Sequence, residues 1–399
     1  MRTIGVVTAG RSDYGIYLPL LRKIQEDPEL KLYLMVTGMH LSPEFGSTVH
    51  MIEEDKFEIN ERIEMLETSD TPQGIAESIG RGTVGFAKAY SRFRPDVLVV
   101  LGDRFEMYAA ALAALPFKIP IAHIHGGEVT QGAFDDALRH SITKLSHLHF
   151  VSIEEYARRV IQMGEEPWRV MVSGAPGLDN LRSTKLLDAK ELKAKFGLSF
   201  DHPPLLVTYH PVTLEYEKTE WQVGELLAAL ETFEMPIIFT SPNADTNGHV
   251  VRHLIQQFIK THPSTQFVDN LGTQAYFSLM ALSAAMVGNS SSGIIEATSF
   301  NLPAVNIGTR QQGRIRAKNV IDVGDKRTAI VEGIQRALEP SFRQDIMNLE
   351  NPYRCDQGSD KLIDRLKTFE LNEAITMKRF FDLPQFLFNE YSHHTAFRY

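Results

Sequence analysis

Of the 399 residues one alone is a cysteine, Cys355, so no disulfide can form within the chain and no paired thiolates are available for a metal or a redox couple. That usage fits a reducing compartment, and a cytoplasmic location is expected. No apolar run reaches the about 18 residues that a membrane-crossing helix requires. After Met1 the chain passes straight into Thr3-Ile4-Gly5-Val6-Val7, without the apolar region of a secretory signal. Positive charge is short as well: 41 Lys and Arg against 50 Asp and Glu leave a formal net charge of -9. Such a surface repels nucleic acid and anionic membranes, so neither is expected as a partner and an anionic ligand needs a few placed groups to hold it. Low-complexity segments and short repeats are missing, and the turn after the first strand, Thr8–Gly15, is not a Gly-x-Gly-x-x-Gly fingerprint.

What is present is an ordinary globular composition, 43% hydrophobic and 23% charged, in a chain long enough for two domains at roughly 100–200 residues each. Short β-rich runs alternate with helical periodicity: Thr3–Ala9, a helix from about Ile16, Leu32–Thr37, a helix Gly74–Phe93, Asp96–Gly102, a helix Phe105–Leu115, Ile119–His125, a helix Asp135–Leu145, and His149–Ser152. Alternation of this kind predicts a parallel, doubly wound sheet. The breakers Gly174-Ala175-Pro176-Gly177 mark a linker, and the pattern restarts with Pro204–Tyr209, Pro236–Thr240, Thr265–Val268, Ala285–Gly288 and Pro303–Ile307. This α/β chain therefore divides into residues 1–175, residues 176–370 and a helical tail 371–399, with a cleft between two Rossmann-like domains. The final helices, after Asn351-Pro352-Tyr353, can close either domain.

In open α/β sheets ligands bind beyond the carboxyl ends of the strands, so the polar residues after each strand are candidates for chemistry. The first strand leads into Thr8-Ala9-Gly10-Arg11-Ser12-Asp13-Tyr14-Gly15, where backbone N–H groups and Arg11 can hold a phosphate or merely cap a helix. Gly102-Asp103-Arg104 puts a carboxylate at a strand tip that is equally a good N-cap. The next strand ends in His123-Ile124-His125-Gly126-Gly127-Glu128, and Asp135-Asp136 then open a helix carrying Arg139 and His140. The four-residue spacing pairs Asp135 with Arg139 and Asp136 with His140. Crowded carboxylates raise one another's pKa, so Asp103, Glu128 and the Asp pair can supply an acid and a base for proton abstraction from carbon. Zinc or manganese is the competing reading, but no familiar ligand spacing is present and no metal is expected.

In the second half, His210 follows a strand and can act as acid, base or phosphate donor, while Asn243 and Asp245 can read sugar hydroxyls. The strongest signal is Asn289-Ser290-Ser291-Ser292-Gly293-Ile294-Ile295-Glu296, small hydroxyl residues at a helix start for a diphosphate, with Glu296 placed for ribose hydroxyls. Gly308-Thr309-Arg310 and Arg314 add cations near the same edge.

With these residues the sequence resembles the hydrolysing UDP-N-acetylglucosamine 2-epimerases of sialic acid biosynthesis, within the wider UDP-N-acetylglucosamine 2-epimerase family of the GT-B fold. The likeness spans about residues 1–370 through the motifs at Gly10–Tyr14, Gly102–Arg104, His123–Glu128, Arg139–Lys144, Asn243–Asp245, Gly288–Gly293 and Gly308–Arg310. It implies an acid and base set of Asp103, Glu128 and one of Asp135 or Asp136, with His210 at the cleft near the diphosphate. Either Glu128 or His125 holds its acid or base role, since some relatives carry a carboxylate at the place of His125. The likeness further implies that Arg11, Tyr14, Arg104, His125, Asn243, Asp245, Ser290, Ser291, Ser292, Gly293, Glu296 and Arg310 bind a UDP-amino sugar. No cofactor is implied, and a homodimer is. The implied reaction converts UDP-N-acetylglucosamine and water to N-acetylmannosamine and UDP, through elimination to 2-acetamidoglucal and hydration. The alternative substrate is a UDP-2,4-diacetamido-2,4,6-trideoxyglucose feeding legionaminic-type acids. A glycosyltransferase of the same architecture and a non-enzymatic nucleotide-sugar sensor are the other readings.

Overall fold

The computed structural model describes residues 1–383 apart from 44, 45, 68 and 244, so Ala244 of the Asn243–Asp245 motif and the part of the expected tail after residue 383 lie outside the described residues. Two wholly parallel sheets form. The first contains β1 (Arg2–Thr8), β2 (Leu30–Thr37), β3 (Ile59–Ile63), β4 (Val97–Leu101), β5 (Ile121–Ile124), β6 (Leu148–Val151) and β7 (Val170–Val172), in the order β3-β2-β1-β4-β5-β6-β7. The second contains β8 (Leu205–Thr208), β9 (Ile237–Thr240), β10 (Thr265–Val268), β11 (Ala285–Gly288), β12 (Ala304–Ile307) and β13 (Val320–Val323), in the order β10-β9-β8-β11-β12-β13.

Helices on both faces bury the central strands completely, which is why Val97-Leu98-Val99-Val100-Leu101 reads as an unbroken apolar run instead of an alternating one. Each such side chain contributes roughly 1.5–3 kcal/mol by leaving water. The edge strands β3 and β13 are partly exposed and of mixed polarity, and the sequence pattern missed both. The helix Arg11–Glu26 also starts earlier than its apolar period suggests, so Arg11 lies in its first turn.

Helix Gly358–Thr368 returns to the first sheet: Leu362, Ile363, Leu366 and Phe369 belong to the core built around β1 and β4. The choice between domains that the sequence left open is thereby made for these helices. Strand order reverses direction between β1 and β4 in one sheet and between β8 and β11 in the other. Those two crevices face each other across a cavity of about 280 Å³. Among the described residues no helix is long and apolar enough to cross a membrane.

Candidate active site

Residues that follow the four switch-point strands line the cavity: Arg11 after β1, Asp103 and Arg104 after β4, His210 after β8, and Ser290, Ser291 and Ser292 after β11. Asp135, Asn243, Glu296 and Arg310 complete the set of expected residues found there. The cavity walls leave out six others. Tyr14 is buried and donates its hydroxyl to Asp55 at 2.6 Å. Gly293 is packed behind the serines, where an added Cβ would meet Ala304 at 3.3 Å. His125, Glu128, Asp136 and Asp245 each engage protein partners described below.

The β1 turn is fastened by Asp13, whose carboxylate accepts the Ala9 and Gly10 N–H groups, each at 2.7 Å. Burial pushes that carboxyl up to about 6 even against those two bonds. At the β4 turn Gly102 has φ 71°, a backbone that glycine adopts freely, and its carbonyl accepts from His123 Nε2 at 2.7 Å. Burial drives the His123 imidazole down to about 3, so the ring is a neutral prop for the turn that carries Asp103.

Asp103 is ion-paired to Arg139, whose Nη1 also donates to Thr130 Oγ1 at 2.9 Å. Arg139 was expected beside Asp135. It lies instead on the helix face shared with Asp136, 3.6 Å away, because residues three apart are also neighbours on a helix. Asp136 does approach His140, at 3.5 Å, and accepts the Thr130 N–H at 2.6 Å, commitments that turn it from the cavity. Asp135 is 6% exposed and its Oδ2 has no hydrogen-bond partner among the described residues. Burial, and then the neighbouring Asp245 and Asp103, lift its carboxyl to about 7, against the pull of Arg104 and Arg310.

Glu128 is 2% exposed. Its Oε1 meets His125 Nδ1 at 2.5 Å and accepts Ser152 Oγ at 2.7 Å, and its Oε2 pairs with Arg314 at 3.0 Å. Burial alone would raise this carboxyl, but Arg314 and His125 prevail and hold it well below the usual range. It is an anion at neutral pH.

His210 accepts the Asn243 N–H on Nδ1 at 3.1 Å, leaving Nε2 to carry the proton of the neutral ring. Burial keeps that ring neutral, helped by the cations Arg310, Arg11 and Arg104. The expected helix start at the serines is a single turn, Ser292–Ile295, too short for a substantial macrodipole. Hydroxyls and Arg310, whose Nη1 donates to the Asn289 carbonyl at 3.2 Å, are what this edge offers an anion. Burial raises the Glu296 carboxyl, and its Oε2 is unpartnered among the described residues.

Sequence reading missed the props. His123 and Asp13 look like ordinary interior residues until the strand tips converge, the pairing of Arg139 with Asp103 was not expected, and Tyr276 and Phe277 add an aromatic wall from a helix without motif.

These features define a two-domain α/β protein of the GT-B fold, with Asp103 and Asp135 on one wall of the cleft and the serine hydroxyls and Arg310 on the other. A family model described as UDP-N-acetylglucosamine 2-epimerase matches residues 22–367, and the chain belongs to that family. It is 39% identical to the Campylobacter jejuni GDP/UDP-N,N'-diacetylbacillosamine 2-epimerase (hydrolyzing), over 96% of this chain and 99% of that one. Its identity to the Escherichia coli polysialic acid biosynthesis protein P7 is 36%, over 96% and 98%. The fold matches the crystal structure of UDP-GlcNAc 2-epimerase from Neisseria meningitidis bound to UDP-GlcNAc, with a TM-score of 0.78 and 20% identity over 92% of this chain and 99% of that one.

Proposed function

We propose that the chain is a hydrolysing 2-epimerase of a UDP-linked 2-acetamido sugar. The observation that carries this reading is Asp135, a cavity carboxyl poised near 7 on the wall that holds Asp103, facing the hydroxyls and cations of the other domain. Asp103, ion-paired to Arg139, removes the proton from C2 while the C1–O electron pair leaves with UDP. The product of that step is the 2-acetamidoglucal, with its double bond between C1 and C2. Asp135 then delivers a proton to C2 from the opposite face and water adds at C1, releasing the free manno-configured sugar. Arg310, Arg11, the neutral His210 and the serine hydroxyls receive the diphosphate, and Glu296 takes the ribose hydroxyls. Glu128, sealed behind His125, neutralises Arg314 and holds the His125 ring in place.

The full-length likeness to the diacetylbacillosamine enzyme favours a UDP-2,4-diacetamido-6-deoxy sugar as substrate. UDP-N-acetylglucosamine is the second reading, favoured by the likeness to the polysialic acid protein. A cytoplasmic homodimer accompanies both. The test is NMR in deuterated water with each sugar in parallel. Free manno-configured sugar carrying deuterium at C2, with UDP released, supports the reaction and ranks the substrates by rate. Intact nucleotide sugar in both tubes refutes it.

A further inference from the structure

Asp245 follows β9 in the second sheet, yet its carboxylate does not open on the cavity. It is 4% exposed and bound across the cleft by Arg104 Nη1 at 2.6 Å. Arg104 Nη2 reaches Glu106, itself fully buried, at 3.2 Å, so one guanidinium of the first domain is clamped between carboxylates of both. Asp135 lines the same cavity as Arg104. Around it stand Asp103 and Arg104 from its own domain and Asp245 and Arg310 from the other. A buried carboxyl whose Oδ2 lacks a partner, with two further carboxylates close by, relieves the repulsion by keeping a proton.

We propose that Asp245 is a positioning residue that the second domain delivers on closure, holding Arg104 away from Asp135 and keeping Asp135 protonated only while the cleft is shut. In the open protein Asp245 leaves with its domain, Arg104 is free to pair with Asp135, and the proton is released to water. The acid is thus armed by the motion that encloses the substrate. The inference rests on the reading of Asp135 as the group that returns the proton to C2.

The test is a carboxyl-carbon NMR titration of the full chain labelled in its aspartates, in the presence of UDP, with Asp135→Asn identifying the resonance. The expected midpoint is near 7 in the parent protein. It falls by about one unit or more in Asp245→Asn and stays in place in Asp245→Glu, which keeps the charge. Small-angle scattering with UDP is expected to give the same radius of gyration for all three proteins. An unmoved midpoint in Asp245→Asn overturns the proposal, and so does a lowered midpoint accompanied by an expanded particle, which leaves Asp245 a latch and nothing more. The pH limb of turnover should move down with the midpoint. A moved midpoint in a protein that turns over neither UDP sugar refutes the reaction and leaves the role of Asp245 standing.

Discussion

Replacing Arg314, which lines the cavity, by methionine tests whether the buried pair it forms with Glu128 behaves as its geometry demands. The side chains of Arg314 and Glu128 are 5% and 2% exposed and 3.0 Å apart, and they join the two domains. Taking one partner from a buried pair leaves an uncompensated charge and costs about 3–5 kcal/mol. Ser152 and His125 remain on the other carboxylate oxygen, so the expected loss for Arg314→Met is at the low end, about 3 kcal/mol at pH 8. The sign with pH follows from the direction of the shift. In the parent protein the Glu128 carboxyl is depressed, so its contribution is present above the unfolded value of about 4.3 and is lost only as pH falls through the lower folded value. In Arg314→Met burial prevails, the carboxyl rises, and protonation relieves the cost as pH falls. The penalty should therefore be clearly smaller at pH 5 than at pH 8 in urea unfolding. Glu128→Gln combined with Arg314→Met removes both charges and should recover most of the loss. An equal penalty at the two pH values, or a double variant no better than Arg314→Met, would refute the reasoning.

Asp135→Asn should lower kcat by about 10²–10⁴-fold and abolish the limb near 7 in the pH profile of turnover. Because the folded carboxyl is raised, its favourable contribution fades as pH climbs through about 7, so the same variant should melt at a higher temperature than the parent at pH 8 and lose that advantage in acid. Glu296→Gln should weaken UDP binding by about tenfold or more in calorimetry, as a neutral amide accepts ribose hydroxyls less well than a carboxylate; unchanged affinity would remove Glu296 from the ribose site. Gly132→Ala places a Cβ 2.8 Å from the Arg310 backbone in the other domain, and no flexible side chain can yield there. It should hold the cleft ajar, enlarging the radius of gyration with UDP and lowering kcat/KM while each core keeps its far-UV signal.

The strand tips were legible because an apolar run ending in Gly-Asp, His-Gly-Gly or Asn-Ser-Ser changes character within one residue, and every central strand does so. The strand Ile59-Asn60-Glu61-Arg62-Ile63 was not, because an exposed edge imposes neither the continuous burial nor the strict alternation by which strands are recognised. Asp135 and Asp136 are indistinguishable as letters. Only the direction of the helix, set by how Phe134 and Arg139 pack, sends one into the cavity and the other to Thr130 and His140. Asp245 and Arg314 were read as a sugar contact and a cation of the phosphate edge, but their ion pairs escaped for a different reason: the partners Arg104 and Glu128 belong to the other domain, and no local pattern encodes a contact that exists only after docking.

The chain crosses between the halves twice, forward near Gly174–Gly177 and back before helix Gly358–Thr368, where Gly174 lies against Cys355 and the Tyr353 carbonyl accepts the Ala175 N–H at 2.9 Å. Two neighbouring crossings act as the paired pins of a door hinge, permitting rotation about the line through them and resisting sliding or twisting. They also make the halves inseparable as gene fragments. A piece ending at residue 175 would expose the apolar ground that Leu362, Ile363 and Leu366 cover, so activity shared between two separately expressed pieces would require the helix Gly358–Thr368 to travel with the first.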